Sequence, residues 1–174
     1  MCGIVGGVTN HNIAPILLDG LKRLEYRGYD SSGMVVLADD HSLNRARAVG
    51  KVANLEDKLK TRKHKIKGTI GIAHTRWATH GEPSSRNAHP HICNHNVSVV
   101  HNGIIENYLD LKESQKTQGY TFTSDTDTEV IAHAIDLAMQ SSKTLLESVQ
   151  KTLSSLDGSY GLGVVSPKHP NTLI

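Results

Sequence analysis

The 174-residue sequence reads as an α+β domain, with helices layered on antiparallel sheet rather than wound about a parallel one. Two patterns carry this reading. Short apolar runs bounded by Gly, Asn or Ser recur at Ile4 to Val8, Met34 to Ala38, Thr69 to His74, Val97 to His101 and Tyr160 to Val165, as strands should. Helical periodicities come partly in blocks, two of them consecutive late in the chain, instead of alternating one for one with the strands.

The first helix follows the first strand. Ile13, Leu17, Leu21 and Leu24 recur at helical spacing behind the candidate cap Asn12, and Pro15 falls in the first turn, where a missing N–H costs nothing. A weaker helix is expected after Gly103, carrying Tyr108 and Leu111 and ending near Gly119. Thr126 and Glu129 have capping-box spacing ahead of Ile131, Ala134, Ile135 and Ala138, and Thr144 and Glu147 repeat it ahead of Leu145, Val149, Leu153 and Leu156. The closing residues Asn171 to Ile174 look like the opening of a further strand after a turn at Pro167 to Pro170. The chain is therefore expected to be a piece of a longer polypeptide.

Composition narrows the partners. Nineteen basic against 17 acidic side chains leave a net charge of +2, which predicts no strong affinity for nucleic acid. The basic run Lys58 to Lys67 lacks aromatic residues for base stacking and reads as a solvated helix end and loop. No apolar run approaches a membrane span, and the start MCGIVGGVTN has no basic leader, so a cytoplasmic protein is expected. Two cysteines, Cys2 and Cys93, make no disulfide framework.

Cys2 follows only Met1. If that methionine is removed, the first residue carries a thiol beside a free amine, and in model peptides an α-amine titrates near 7.7 to 8.0 and a thiol near 8.5. Such a residue is a nucleophile that supplies its own base. On position alone, a small buried residue at a strand start is an equal reading. Acyl transfer also needs donors aimed at an oxyanion. His101-Asn102-Gly103 offers a side-chain amide and a glycine N–H at what reads as a strand-to-helix turn, although Asn-Gly by itself is ordinary turn chemistry.

The segment His74 to Gly81 concentrates a guanidinium, two hydroxyls and an indole. Arg76 suits a bidentate grip on a carboxylate, with Thr79 adding a hydrogen bond. Asp127 is expected in the first turn of a capped helix, where it either accepts an ammonium or simply complements the helix dipole. A carboxylate clamp with an ammonium acceptor describes a pocket for a free α-amino acid. His89, His91, Cys93 and His95 recur at period two and raise a metal site, but Pro90 disturbs the strand and the spacing matches no usual zinc pattern. Neither metal nor cofactor is expected.

As a set, CGIVG, YRGYDSSG, HTRWATHGEPS, NAHPH, HNGIIEN and SDTDTEV resemble the glutaminase domains of the glucosamine-6-phosphate synthase family, over essentially the whole chain and in the same order. The resemblance implies an N-terminal-nucleophile hydrolase fold, an αββα sandwich of two antiparallel sheets between helical layers. Residues 1–174 would be one class II glutamine amidotransferase domain, incomplete at its C-terminal end. It implies Cys2 as nucleophile with its own α-amine as base, and Asn102 and Gly103 as the oxyanion hole. Arg76, Thr79, His80 and Asp127 would hold L-glutamine, Arg27 would lie near the nucleophile, and Trp77 would gate ammonia passage. In the family a sugar-phosphate isomerase domain receives the ammonia and mediates homo-oligomer formation, and this sequence contains no such domain. The alternatives are the glutaminase domain of an amidophosphoribosyltransferase, a catalytically silent amino-acid-binding module, and a histidine-rich metal module.

Overall fold

The computed structural model describes residues 2–63 and 65–174. Met1, whose removal the nucleophile reading invokes, and His64, in the basic run, lie outside the described residues. The elements run β1 (Gly3–Val8), α1 (Ala14–Leu24), β2 (Ser31–Leu37), β3 (Leu43–Val49), α2 (Val52–Thr61), β4 (Ile70–Arg76), β5 (His91–Cys93), β6 (Val97–Ile105), α3 (Tyr108–Thr117), α4 (Glu129–Met139), α5 (Leu145–Leu153) and β7 (Gly158–Val165). The strands form two antiparallel sheets, ordered β1-β4-β2-β3 and β5-β6-β7.

Alternation along the strands builds four layers. On β2, Met34 and Val36 face α1 and α2, where Leu17, Leu21, Val52 and Leu55 cover them. Val35 and Leu37 face the other way, onto Ile70 and Ile72 of β4 and Val100 of β6, and make the core between the sheets. Val97 and Val99 of β6 look outward to Ile131 and Ile135 of α4 and Val149 of α5. The order is helices, sheet, sheet, helices, which is the sandwich that the family resemblance implies. Leu173 extends it by a bridge to Val165, as the strand opening at the chain end predicts.

Several local expectations need correction. Asn102 and Gly103 do not form a strand-to-helix turn; both lie within β6, and α3 begins only at Tyr108. Asp127 precedes α4, whose cap position is Thr128, so it is not a first-turn residue of the helix. The Thr126 and Glu129 capping box does not form, whereas Thr144 Oγ1 does accept from the Glu147 N–H (3.1 Å). Glu129 is 2% exposed and instead clasps the preceding loop. Its Oε1 accepts from the N–H (2.9 Å) and hydroxyl (2.8 Å) of Thr123, and its Oε2 from the N–H (2.7 Å) and hydroxyl (2.6 Å) of Ser124. Two strands go beyond the sequence reading. β3 is poor in large apolar residues because Arg45 and Arg47 spend their guanidinium groups on the carbonyls of Pro90 (3.2 Å) and Ala88 (3.0 Å). β5 is only three residues long.

Three neutral histidines close one end of the core. His74, His89 and His91 are at most 4% exposed, with ring centroids 4.2 Å apart for His74 and His89 and 4.9 Å for His89 and His91. Burial, ahead of any neighbouring charge, pushes His74 down from its ordinary 6.5 to about 3 and holds His89 and His91 well below that ordinary value.

Unfolded, these rings take up protons near pH 6.5; folded, they do so only far lower. The unfolded chain binds more protons in between, so stability is complete above that pH and falls as the pH drops through it, by up to about 1.4 kcal/mol per pH unit per ring. The urea midpoint should therefore fall between pH 7 and 5.5, above the carboxylate range, and an unchanged midpoint would contradict the burial of neutral rings. Glu129→Ala strands two loop N–H groups and should cost about 3 kcal/mol in urea unfolding; a cost under about 0.5 kcal/mol would show that the clasp holds nothing.

Candidate active site

The same alternation delivers several candidate residues to one end of the core. After Ile70 and Ile72, the next inward positions on β4 are His74 and Arg76; after Val100, the next on β6 is Asn102; and Cys2 lies two residues before the inward Ile4 of β1. The core between the sheets thus turns polar at one end. Cys2, Arg76, Trp77, Thr79, Gly103 and Asp127 share the lining of a narrow cleft there. Its open space is only about 10 Å³, room for roughly one water, so a larger ligand needs side chains at the mouth to move. A groove of about 450 Å³ between α3, α4 and α5 is far larger, but its lining, which includes Leu111, Leu137 and Lys151, holds no cysteine and none of the candidate site residues.

Cys2 is half-buried. Its Sγ accepts from the Trp77 N–H (3.2 Å) and lies 3.7 Å from the Trp77 carbonyl oxygen, which ties the residue just before β1 to the loop after β4. Trp77 itself is 54% exposed at the mouth. A methyl group at Gly28 would come within 2.7 Å of its Cζ3, so the turn after Tyr26 and Arg27 cradles the indole. Arg27, His80 and Asn102 are not among the residues that line the cleft; Arg27 Nε donates to the Tyr26 hydroxyl (3.0 Å).

Arg76 is 3% exposed and shapes its own loop, Nη2 donating to the carbonyls of His80 and Gly81 (3.0 Å). Its Nη1 is buried without a hydrogen bond, 3.7 Å from Asp30 Oδ1. The guanidinium therefore retains a donor for an anionic ligand. Asp127, 4% exposed, accepts the Ile105 N–H at Oδ2 (2.8 Å), while its Oδ1 faces His80 Nδ1 at 3.9 Å. That oxygen has capacity for a cation, and the acid does more than complement a dipole. His80 meets Tyr108 edge-on at 4.9 Å between centroids and has a buried, unpartnered Nδ1.

Strand register decides where the Gly103 N–H points. The Glu106 N–H donates to the Asp157 carbonyl (2.9 Å), so on β6 the residues of even number exchange hydrogen bonds with β7. Gly103, paired with Tyr160, faces away from β7, to the side on which the Ile105 N–H already meets Asp127. β5 pairs only with Val97 to Val99 and leaves that side open at Gly103. Gly103 has φ 137, and an added Cβ would stand 1.9 Å from the Ser159 carbonyl oxygen, so only glycine fits. Asn102 Oδ1 lies 2.7 Å from His74 Nε2, and His74 Nδ1 lies 3.0 Å from His89 Nδ1.

The sequence reading gave His74 and His89 no individual role. The signal was available in Ile70-x-Ile72-x-His74-x-Arg76, an inward face that changes from aliphatic to polar without changing period. The histidine and cysteine series does not converge on a point: His91 Nε2 meets Thr126 Oγ1 (3.0 Å), Cys93 Sγ meets His133 Nδ1 (3.0 Å), and His95 is exposed. Among the described residues no group of three or more ligating side chains could hold a metal. Cys93 is 1% exposed and burial pushes its thiol far up from the ordinary range.

A sequence-family profile described as "Glutamine amidotransferase domain" matches residues 74–174. The chain is 55% identical, over its whole length, to the glutamine–fructose-6-phosphate aminotransferase (isomerizing) of Acinetobacter baylyi, and 51% identical to that of Escherichia coli. It spans 28% of the length of each of these relatives. Among solved structures, the glutamine phosphoribosylpyrophosphate amidotransferase of B. subtilis superposes with a TM-score of 0.76 at 29% identity, covering 95% of this chain and 35% of that one. With the profile match extending over more than half of its residues, the chain belongs to the glutamine amidotransferase domain family.

Proposed function

We propose that residues 1–174 are a glutaminase domain that hydrolyses L-glutamine to glutamate and ammonia through a γ-glutamyl thioester on Cys2. The observation that carries this is the convergence, in one cleft, of a thiol on the second residue, an N–H at Gly103 left unused by the sheet, and oppositely charged groups in Arg76 and Asp127.

In this reading Met1 is removed and the Cys2 α-amine takes the thiol proton as Sγ attacks the side-chain carbonyl carbon of glutamine. Negative charge develops on the carbonyl oxygen, where the Gly103 N–H and the Asn102 amide receive it; each such donor is worth about 2.7 to 4 kcal/mol in the transition state. The α-amine returns its proton to the leaving nitrogen and ammonia departs. Water, deprotonated by the same amine, then attacks the thioester, and glutamate leaves with Cys2 regenerated. Arg76 Nη1 with Thr79 holds the α-carboxylate, Asp127 Oδ1 beside His80 holds the α-ammonium, and Trp77, over the turn carrying Arg27, covers the mouth. None of these steps calls on a metal or cofactor.

We further infer that ammonia passes to a sugar-phosphate isomerase domain that converts fructose 6-phosphate to glucosamine 6-phosphate, through which the protein forms homo-oligomers. High identity to aminotransferases named for fructose 6-phosphate supports this over the amidophosphoribosyltransferase reading, whose likeness is 29%. No helix among the described residues is long and apolar enough to cross a membrane. A reducing cytoplasmic location suits a thiol nucleophile, and the scheme includes no nucleic-acid or membrane partner.

Ammonia release from L-glutamine by protein beginning at Cys2 should vanish in Cys2→Ala; release at an undiminished rate would sink the assignment. Asp127→Asn keeps an acceptor for Ile105 but removes the charge, and should raise the KM for glutamine about tenfold or more while leaving use of 4-carbamoylbutanoate, which lacks the α-amine, no worse. Equal effects on the two substrates would remove Asp127 from the ammonium site.

A further inference from the structure

His74 and His89 stand in file behind Asn102, and the acyl transfer set out above uses neither ring. His74 Nε2 is 2.7 Å from Asn102 Oδ1, His74 Nδ1 is 3.0 Å from His89 Nδ1, and His89 Nε2 is buried with no partner. Both rings are enclosed, against each other and near the Arg76 guanidinium and the ring of His91, surroundings that oppose a second proton on either. Each ring then has one N–H and one bare nitrogen.

His89 Nδ1 also lies 3.4 Å from His74 Nε2, a longer approach; with the 2.7 Å and 3.0 Å contacts as the hydrogen bonds, two proton arrangements satisfy both. In one, His89 Nδ1–H donates to His74 Nδ1, and His74 Nε2–H donates to Asn102 Oδ1. The sole group left over is the lone pair at His89 Nε2. In the other every direction reverses, so that the Asn102 amide nitrogen donates to His74 Nε2, His74 Nδ1–H donates to His89 Nδ1, and an N–H is stranded at His89 Nε2. A buried N–H without an acceptor is the rarer and costlier orphan, so the first arrangement prevails. Its consequence lies at the far end of the file. With Oδ1 engaged by His74, the NH2 of Asn102 is the half of the amide that this contact leaves over.

We propose that His74, its own proton placed by His89, is a positioning residue that holds the Asn102 amide with its oxygen turned into the protein and its NH2 toward the oxyanion. The inference rests on the glutaminase reading. Gly103 needs no such device, because its N–H is aimed by the β6 and β7 register. An amide is nearly symmetrical in shape, so packing alone does not choose between its two ends. Inverted, it would present a lone pair to the developing negative charge and turn a stabilising contact into a repulsive one.

The test uses the full protein with Cys2 as its first residue. His74→Leu should lower kcat for glutamine hydrolysis about tenfold to a hundredfold, with KM within about twofold. His74→Gln, whose amide nitrogen can reach the Nε2 position, should restore most of that loss. The His74→Leu/Asn102→Ala double variant should be no slower than Asn102→Ala alone. Multiplicative losses, a loss confined to KM, or a Gln variant as slow as the Leu variant would overturn the proposal. Long-range ¹H–¹⁵N correlation spectra of the unsubstituted protein decide independently of turnover: His74 protonated on Nε2 and His89 on Nδ1 is the expected result, and the reverse overturns it. Should the unsubstituted protein release no ammonia, the glutaminase reading fails, and the spectra still report whether the amide is oriented by His74.

Discussion

Side chains on a strand alternate between two faces, and in a sandwich the inner face has no access to bulk water wherever the facing sheet covers it. Here β4 and β6 run past the aliphatic filling between the sheets, and the inward positions that follow are His74, Arg76 and Asn102. Polar groups in such a place must satisfy one another or lose the hydrogen bonds that water gave them. They do so in pairs: Asn102 with His74, His74 with His89, Arg76 with the carbonyls of its own loop. The floor of the cleft is thus buried and largely hydrogen-bonded, and its mouth is where Trp77 and Thr79 are exposed.

Residues that resemble binding groups also hold the chain together. Asp127 anchors the loop before α4 to the backbone of β6, and Arg76 ties down the loop it starts. Gly33 has a comparable part away from the cleft: an added Cβ would come 2.2 Å from the His89 carbonyl oxygen, so its bareness lets the loop over residues 86–90 settle on β2. That is a physical reason for the second glycine of YRGYDSSG that motif matching alone does not supply.

The layering of helices on antiparallel sheet and five of the seven strands could be read from apolar runs with clear borders, whereas the two-sheet sandwich was implied only by the family resemblance. The exceptions are instructive. β3 hides behind Arg45 and Arg47, whose charges are spent on loop carbonyls that a local pattern does not reveal. Asn102-Gly103 reads as a turn by dipeptide statistics, yet tertiary pairing with Gly161 and Tyr160 keeps it in a strand. Thr126 and Glu129 have the right spacing for a capping box, but the carboxylate finds better donors in Thr123 and Ser124. The candidate site was legible as a list of residue types; what spacing could not give was direction, meaning which way the Gly103 N–H points and which atom of Asn102 meets His74.

The two sulfur atoms differ in reach. Cys93 is packed against the His133 ring and shut away from solvent, while Cys2 is only half covered. A soft alkylating reagent meeting the folded protein therefore has a single address. A probe could be installed at the mouth of the cleft in defined stoichiometry without engineering out any cysteine, and uptake of a second equivalent would report that the helical layer over Cys93 had come open.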